Sequence, residues 1–251
     1  MNSIQKIKQQ LVEAGKRTYN RGYVAANDGN ISARYGDKII VTPTGVSKGF
    51  MKPEDMVTID LNGNIRSGSK KPSSEVQMHL LVYRNRKDVY SVCHAHPPYA
   101  TAFAVAGIPL DQCVLSEVII TLGKIPIVDY GTPGSREYFK SLKLLLPDHD
   151  AFLLANHGAM TIGPNIISAY HKMETLEHFA QISFIARQLG HTTTLSKEQV
   201  EKLTALRSKF GINTTAQCNL PEEGISVTTD IENSQKINVD EIVDKILKEL
   251  K

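Results

Sequence analysis

Two histidines one residue apart are the most distinctive feature of the sequence, in the segment SVCHAHPPYA of residues 91–100. The preceding residues, 88–93, have the apolar character of a strand that enters the core. In a strand, side chains two positions apart point to the same face, so we expect His94 and His96 to stand side by side. Such a pair can bind a metal ion, or it can be two rim histidines hydrogen-bonded to the backbone.

A third histidine strengthens the metal interpretation. His157 lies in the segment ANHGA of residues 155–159, directly after a second apolar run. Three neutral imidazole nitrogens with one open position form the ligand pattern of catalytic zinc. Glu75, at the head of a predicted helix over residues 73–83, is a candidate for a fourth ligand.

Two other groupings of ligand-type residues have simpler interpretations. His79 is four residues from Glu75 on one helical face, but it lies among apolar residues and is predicted to be a hydrogen-bonded core histidine. His171, Glu174 and His178 share one face of a long predicted helix whose apolar residues fall on the opposite face. That polar face is predicted to be a solvated surface.

Three turn segments are rich in small hydrogen-bond donors: NDGNIS at 27–32, TPTG at 42–45 and PSS at 72–74. Backbone N–H groups in such turns can bind phosphate without a large formal charge. The third segment runs directly into Glu75, which predicts a phosphate beside the proposed metal. Lys48 follows the second segment and either helps to neutralise that phosphate or is a solvated loop lysine.

The elements that must hold these residues alternate in type along the chain. Residue patterning predicts helices over 3–21, 73–83, 98–106, 166–189 and 196–210, and strands over 38–42, 56–60, 88–96, 124–129, 151–156 and 159–162. This interleaving predicts one domain of mixed α and β type, and it leaves open whether the strands are parallel.

The chain changes character after residue 215, where it becomes polar and rich in turn residues. Residues 238–250 have an apolar stripe behind an Asn N-cap with a Glu three positions later, which predicts an amphipathic helix. We interpret residues 216–251 as a docking tail or a contact with another subunit.

The composition excludes several classes of protein. The 251 residues carry a net charge of +3, and no run of Lys and Arg with interleaved aromatics forms a nucleic-acid-binding patch. No segment approaches the roughly 18 apolar residues needed to cross a membrane. Cys93, Cys113 and Cys218 are widely spaced and odd in number, so we expect no disulfide framework, a reducing compartment and a cytoplasmic protein.

Five motifs in consistent order resemble the class II aldolase/adducin superfamily: DGNIS at 28–32, TPTG at 42–45, PSSE at 72–75, HAH at 94–96 and NHG at 156–158. The similarity spans residues 3–210. Matched position by position, it implies a set of four metal ligands, Glu75, His94, His96 and His157. It also implies a set that holds the substrate phosphate: Gly29, Asn30, Thr44, Gly45, Ser73 and Ser74.

The resemblance also implies an architecture. The expected fold is of the α/β class, a three-layer α/β/α domain around a mostly antiparallel central sheet, with a catalytic domain over residues 1–215. Members of the superfamily usually form fourfold-symmetric tetramers with active sites at subunit boundaries. The implied partners are therefore a phosphorylated sugar and further copies of the same chain, with no nucleic acid and no membrane.

The implied activity is a metal-dependent aldol cleavage of a ketose 1-phosphate to dihydroxyacetone phosphate and an aldehyde. The metal is expected to be Zn²⁺, with Mn²⁺ or Co²⁺ as alternatives, and Glu75 is expected to be the general base and acid. Candidate substrates are L-fuculose 1-phosphate and 5-deoxy- or methylthioribulose 1-phosphate. The alternatives are a ribulose-5-phosphate 4-epimerase, a dehydratase or a sugar-acid phosphate decarboxylase of the same family, and a non-catalytic adducin-like scaffold.

Two positions depart from or refine the family pattern. The family's epimerases typically have Asp where this chain has Glu75, so the glutamate favours aldol cleavage. The aldolases that act on fuculose phosphate carry a tyrosine from a neighbouring subunit a little after the H-x-H segment, and here Cys113 stands near that place. Glu117 or Tyr130 could replace the tyrosine, and the sequence does not choose between them.

Overall fold

One mixed sheet organises the part of the chain that the structure describes. The computed structural model describes residues 3–131, 136–212 and 214–220. The strands found there are β1 (Asn30–Tyr35), β2 (Lys38–Val41), β3 (Val57–Asp60), β4 (Ile65–Ser67), β5 (Ser91–Ala95), β6 (Ile127–Val128), β7 (Ala151–Leu154) and β8 (Gly158–Gly163). They form one sheet in the order β4-β3-β2-β1-β5-β8-β7-β6. The pairs are antiparallel except β6 with β7, which confirms a mostly antiparallel sheet.

Helices cover both faces of this sheet. They are α1 (Ser3–Asn20), α2 (Val76–Asn85), α3 (Pro98–Ala106), α4 (Ser116–Thr121), α5 (Arg136–Leu145), α6 (Ile166–Gln188) and α7 (Lys197–Leu206), with short 3₁₀ turns at Lys48–Phe50, Pro53–Asp55 and Arg207–Phe210. One apolar core joins the sheet to α1, α3, α4 and α6, and a second joins its other face to α2 and α5. The three-layer α/β/α prediction is therefore confirmed.

The pairing register brings the chemically interesting residues to one end of the sheet. β5 lies between β1 and β8. His94 is paired with Asn30 on one side and with Met160 on the other. Because both neighbours run antiparallel to β5, the end of β5 meets the first residues of β1 and of β8.

Helix α2 begins later than the sequence predicts, at Val76 instead of Ser73. Pro72 forms an isolated β-bridge with Pro43, and the N–H of Ser73 donates to the carbonyl of Thr42 at 3.3 Å. These contacts hold the PSS segment beside the end of β2, so the segment is a turn that leads into the helix. Glu75 consequently occupies the N-cap position of α2.

The sequence predicted no disulfide framework, but the structure contains a disulfide between one pair of cysteines. Cys113 and Cys218 form a disulfide with an S–S distance of 2.06 Å across 105 residues of sequence. The fold brings together two positions that their spacing in the sequence does not relate. Cys93 is a buried free thiol. The bond removes one of the arguments for a reducing compartment.

Residues 214–220 are attached to the body of the protein. The N–H of Ala216 donates to the carbonyl of Asp148 at 3.1 Å, and the N–H of Asn219 donates to the carbonyl of Asp111 at 2.7 Å. The packed chain therefore continues past residue 215, and a domain boundary near that residue stays a prediction. The predicted helix over 238–250 lies outside the described residues. None of the described helices is both long and apolar enough to cross a membrane.

Candidate metal and phosphate site

Three histidines converge at the end of β5. His94, His96 and His157 each offer a ring nitrogen, and the three atoms lie within 4.8 Å of one another. The ring centroids are 4.7–5.0 Å apart. His94 is fully buried, whereas the side chains of His96 and His157 are 26% and 21% exposed, so the cluster is reached from solvent on one side.

The tautomer of His94 is set by the neighbouring strand. Its Nδ1 lies 2.9 Å from the carbonyl oxygen of Ala159 on β8, which can only accept a hydrogen bond. In the neutral ring the proton is therefore on Nδ1 and the lone pair is on Nε2. That Nε2 faces the other histidines and Glu75, as a metal ligand must.

The close approach of the turn between β7 and β8 requires a glycine. His157 lies in this turn, beside Asn156, which adopts a φ of 54°. A Cβ atom on Gly158 would lie 2.6 Å from the carbonyl oxygen of Ala95 and 2.6 Å from Cδ2 of His96. Gly158 therefore lets His157 reach the end of β5 without displacing the His96 ring.

Glu75 completes the cluster from the α2 side. Its Oε2 lies 3.1 Å from Nε2 of His94, and its Oε1 lies 3.1 Å from Nε2 of His157. Three imidazoles and one carboxylate suit a divalent cation, and the donor set fits zinc. Asp28 has Oδ2 3.5 Å from Nδ1 of His96; it belongs to the DGNIS motif but was not predicted to be a site residue.

The electrostatics of the cluster match what ligation requires. Burial opposes the charged form of Glu75, but His94 and His157 outweigh it and hold the pKa of Glu75 below the ordinary carboxyl range. Burial together with His94 and His157 lowers the pKa of His96 to about 4. Burial alone would lower the pKa of His94, yet contact with Glu75 raises it. An ionised carboxylate and a neutral His96 are ready to bind a cation, which must compete with a proton at His94.

Asn30 and His79 stand behind Glu75. The Nδ2 of Asn30 donates to Oε2 of Glu75 at 2.8 Å, and the Oδ1 of Asn30 lies 2.5 Å from Nε2 of His79. His79 is fully buried, and its Nδ1 lies 2.7 Å from the hydroxyl of Ser32. The prediction that His79 is a hydrogen-bonded core histidine is confirmed. Its link to Glu75 through Asn30 was not predicted, because Asn30 was assigned only to a phosphate turn.

The three predicted anion-binding segments meet near this cluster. Gly29 directly precedes Asn30 at the start of β1, and the segments with Thr44 and Ser73 are paired through the Pro43–Pro72 bridge. The N–H groups of Thr44 and Ser73 already donate to the carbonyls of Lys71 and Thr42. Anion contacts at these two residues would therefore come from their hydroxyl groups. Exposure differs among the six residues: Thr44, Gly45 and Ser74 are exposed, Gly29 is partly buried, and Asn30 and Ser73 are buried.

Lys48 links the first of these segments to the residue that directly follows the second. Its Nζ donates to the carbonyl of Asn27 at 3.0 Å and to the carbonyl of Val46 at 2.9 Å. The residue is only 1% exposed, so the solvated-loop interpretation is wrong. Burial lowers the pKa of Lys48 to about 8, and nearby Asp28 opposes that shift. At neutral pH Lys48 is therefore an ammonium group directly behind two candidate phosphate loops.

The position near the family's tyrosine carries no acid. Cys113 is fully buried and its sulfur is in the disulfide, so it has no S–H to donate. Tyr130 is 65% exposed. Glu117 is exposed and lines a cavity that also includes Gly163, at the end of β8 opposite to the histidine cluster. Within one chain, Glu117 is thus remote from the candidate site.

The second histidine grouping is a surface feature, as predicted. His171 and His178 are exposed on α6. Glu174 accepts hydrogen bonds from Arg21 at 3.0 Å and from the hydroxyl of Tyr170 at 2.8 Å. Among the residues that the structure describes, the only His, Cys, Asp and Glu grouping able to hold a metal is the one at the end of β5.

The fold and the histidine cluster define a known class. The family of class II aldolases and adducin N-terminal domains matches the chain over residues 9–184, so the chain belongs to this family. The cluster at the end of β5 is in keeping with that family's general dependence on a metal ion.

Individual relatives indicate which type of reaction this family catalyses. An L-fuculose phosphate aldolase of Methanococcus maripaludis is 39% identical over 180 residues, which cover 72% of this chain and 97% of that protein. A 5-deoxy-D-ribulose 1-phosphate aldolase of Bacillus thuringiensis serovar kurstaki is 32% identical over 211 residues, 83% of this chain and 98% of that one. A 3-oxo-tetronate 4-phosphate decarboxylase of Pectobacterium atrosepticum is 34% identical over 190 residues, 74% and 87% of the two chains. Aldolases and decarboxylases are both lyases, so these relatives support a lyase.

A solved structure agrees with the fold. An L-fuculose 1-phosphate aldolase superposes with a TM-score of 0.75 at 30% identity, covering 84% of this chain and 98% of that one. The α/β architecture described above is therefore that of a class II aldolase.

Proposed function

We propose that this protein is a metal-dependent aldolase that cleaves a ketose 1-phosphate to dihydroxyacetone phosphate and an aldehyde. The observation that carries the proposal is the place of Glu75, within 3.1 Å of ring nitrogens of both His94 and His157. The same residue directly follows the PSS turn, so a metal and a phosphate would lie next to each other. A ketose 1-phosphate has its carbonyl next to the carbon that bears its phosphate, and it suits such a site.

The ligand set assigned to the cation is Glu75, His94, His96 and His157, with Zn²⁺ as the first choice and Mn²⁺ or Co²⁺ as alternatives. When bound, such an ion supplies Lewis-acid polarisation of the substrate oxygens. Three nitrogen donors with an accessible side are compatible with this role, because substrate can approach past the exposed edges of His96 and His157.

The chain's own groups have two further tasks. Hydroxyl groups of Thr44 and Ser74, with Gly45 beside them, are assigned to the phosphate, and the Lys48 ammonium lies behind those loops. Glu75 is assigned to proton transfer at the carbon next to the carbonyl, where a positioned carboxylate contributes about 10²–10⁴-fold in rate. Glu75 is ionised at neutral pH, so it would first accept the proton that the substrate hydroxyl releases on becoming the aldehyde, and then deliver a proton to the carbon next to the carbonyl.

A panel of sugar phosphates tests the proposal. Chelator-treated protein is reconstituted with Zn²⁺, Mn²⁺ or Co²⁺ and given L-fuculose 1-phosphate, 5-deoxyribulose 1-phosphate and methylthioribulose 1-phosphate. We expect metal-dependent release of dihydroxyacetone phosphate from at least one of them. Turnover of ribulose 5-phosphate without release from any ketose 1-phosphate would show an epimerase instead.

A decarboxylase of a sugar-acid phosphate is the second candidate, and the state of Cys113 favours it. Aldol cleavage needs proton transfer at the oxygen that becomes the aldehyde, whereas loss of carbon dioxide starts from a carboxylate that is already ionised. Cys113, near the family's tyrosine position, can neither accept nor donate a proton in its disulfide. Carbon dioxide release from 3-oxo-tetronate 4-phosphate, without dihydroxyacetone phosphate from the ketose panel, would select this function. The complete ligand set argues against an adducin-like scaffold.

We further propose that the chain forms a homotetramer with active sites at subunit boundaries. We also propose that residues 216–251 are a tail outside a catalytic domain of residues 1–215. A neighbouring subunit could then supply Glu117 or Tyr130 to the site. The mass in solution, measured by light scattering on the full chain and on a chain ending at residue 220, tests both parts. A monomeric full chain contradicts the assembly.

A further inference from the structure

A line of buried polar groups runs from the core to Glu75. Glu75, the N-cap of α2, and His79 and Tyr83 within α2 are spaced four residues apart and share one face. On β1, Asn30 and Ser32 are two residues apart and share one face. Four residues of helix rise about 6 Å and two residues of strand about 6.7 Å, so the polar groups of the two rows recur at nearly the same spacing.

Hydrogen bonds join the two rows alternately. The hydroxyl groups of Tyr83 and Ser32 are 2.7 Å apart, and the Ser32 hydroxyl is 2.7 Å from Nδ1 of His79. The series of hydrogen bonds continues from Nε2 of His79 to Oδ1 of Asn30 at 2.5 Å, and from Nδ2 of Asn30 to Glu75 at 2.8 Å. The four residues behind Glu75 are at most 2% exposed.

Only one arrangement of protons satisfies this series of hydrogen bonds. An ionised carboxylate can only accept, so the NH₂ end of the Asn30 amide faces Glu75 and its oxygen faces His79. The Nε2 of His79 must then carry the proton, which leaves Nδ1 of the neutral ring as an acceptor. Ser32 must donate to that Nδ1 and accept from the hydroxyl of Tyr83. The direction of each hydrogen bond thus fixes the direction of the next, from the Tyr83 hydroxyl to the Glu75 carboxylate.

We propose that His79 is a positioning residue, which acts through Asn30 to keep the Glu75 carboxylate oriented toward the metal site. The inference rests on the proposed role of Glu75. A flipped Asn30 amide would place its oxygen against the carboxylate and repel it, and the Nε2–H of His79 prevents that flip. Asn30 donates from β1 to Oε2, the same Glu75 oxygen that lies 3.1 Å from Nε2 of His94, so its hydrogen bond fixes the oxygen that faces the histidine cluster whether or not the cation is bound.

Variants at His79 separate positioning from simple core stability. His79→Phe keeps a ring of similar size but removes the donor to Asn30. His79→Gln can restore a donor near the place of Nε2, whereas His79→Asn reaches only toward Ser32. Thr161→Val is the matched control, since Thr161 is equally buried and its hydroxyl donates to the carbonyl of Ala169 at 2.7 Å, away from Glu75.

Two readouts apply, and one of them does not depend on catalysis. Zinc affinity is measured by competition with a chromophoric chelator, and kcat and KM are measured with whichever sugar phosphate is turned over. We expect H79F to lose about 10–100-fold in zinc affinity and in kcat, as for other groups that orient metal ligands, with KM little changed. H79Q should recover most of both losses, and T161V should match the wild type. Should H79F not fold, the contrast between H79Q and H79N provides the same comparison.

A double-variant cycle tests whether His79 acts through Asn30. In an Asn30→Ala background, H79F should change zinc affinity less than about twofold, because the group it orients is gone. An equal loss from H79F in both backgrounds overturns the proposal, as does an H79F protein that binds zinc like T161V. Zinc affinity keeps this outcome separate from the proposed function, which fails instead if no ketose 1-phosphate is cleaved.

Discussion

At the scale of single residues, the site depends on which polar groups are buried and how each is satisfied. Glu75 accepts a hydrogen bond from Asn30 at Oε2, and its two carboxylate oxygens each lie 3.1 Å from a ring nitrogen, of His94 and of His157. His79 is buried as a neutral ring between two partners. Burial of a neutral histidine links stability to pH, and this gives a prediction for His79.

We expect His79 to make the protein less stable as the pH falls below 6.5. Burial, with His94 nearby, lowers the pKa of His79 from its usual 6.5 to about 3, so the unfolded chain takes up this proton before the folded one does. The contribution of His79 is complete above pH 6.5, and about 2 kcal/mol of it is lost by pH 5. Urea unfolding of metal-free wild type and H79Q at pH 7 and pH 5 measures the difference. Equal losses in both proteins would contradict a neutral buried ring.

At the scale of elements, the turns between strands carry the groups that form the site. The loop before β1, the loop after β2 and the turn between β7 and β8 all lie at the histidine end of the sheet. Two features keep these loops there. The buried ammonium of Lys48 donates hydrogen bonds to loop carbonyls, and the absence of a Cβ atom at Gly158 allows the close approach of its turn.

Lys48→Met should loosen the two loops that Lys48 joins. Hydrogen bonds from a charged donor contribute about 1.5–3 kcal/mol each, so we expect KM for the phosphorylated substrate to rise by roughly tenfold or more. Inorganic phosphate should inhibit the variant more weakly, while zinc affinity stays near the wild-type value. Lys38→Met, at an exposed position on β2, is the control. Unchanged KM in K48M would mean that the phosphate lies elsewhere.

Gly158→Ala should damage the metal site without affecting distant parts of the fold. The added Cβ would lie 2.6 Å from the Ala95 carbonyl and from the His96 ring, closer than such contacts allow. We expect zinc affinity to fall by at least tenfold as His96 or His157 moves. Gly22→Ala, where the φ is 70° and no atom lies within 4 Å of the new Cβ, should cost about 1 kcal/mol of stability and leave zinc affinity unchanged. Wild-type zinc affinity in G158A would show that the turn accommodates a Cβ atom and would contradict this prediction.

Much of the fold followed from sequence periodicity, and the exceptions have physical causes. α3 has the predicted bounds, and α1 and α6 end within a residue or so of them. β1 was missed because Asn30 and Ser32 are polar residues buried on one face, so the strand lacks the usual apolar alternation. Ser73 and Ser74 were placed in the helix because the pairing of this segment with the end of β2 is a long-range contact that local sequence does not encode.

At the scale of the whole molecule, convergence of residues distant in the chain defines both the site and the disulfide. The motifs predicted which histidines and which carboxylate belong together; the structure places the ring nitrogens of the three histidines within 4.8 Å of one another and Glu75 3.1 Å from two of them. Contacts that depend on tertiary packing, such as those of His79 with Asn30 and of Cys113 with Cys218, had no local signal.

Reduction of the disulfide should destabilise the protein. The bond spans 105 residues, and disulfides typically contribute about 2–4 kcal/mol to stability. We expect the free energy of unfolding to fall by that amount with a thiol reductant, measured by urea denaturation. Cys218→Ser should already be destabilised and should not respond to reductant. A wild-type protein indifferent to reductant would contradict the pairing of Cys113 with Cys218.

The most direct measurement of the central claim is metal-dependent release of dihydroxyacetone phosphate from the ketose 1-phosphate panel, by wild type and Glu75→Gln. We predict that release by the wild type saturates at one zinc per chain and that E75Q is slower by about 10²–10⁴-fold. Glu13→Gln, at an exposed position on α1, should behave as wild type. Full activity in E75Q, or no release from any ketose 1-phosphate by the zinc-loaded wild type, would contradict the account.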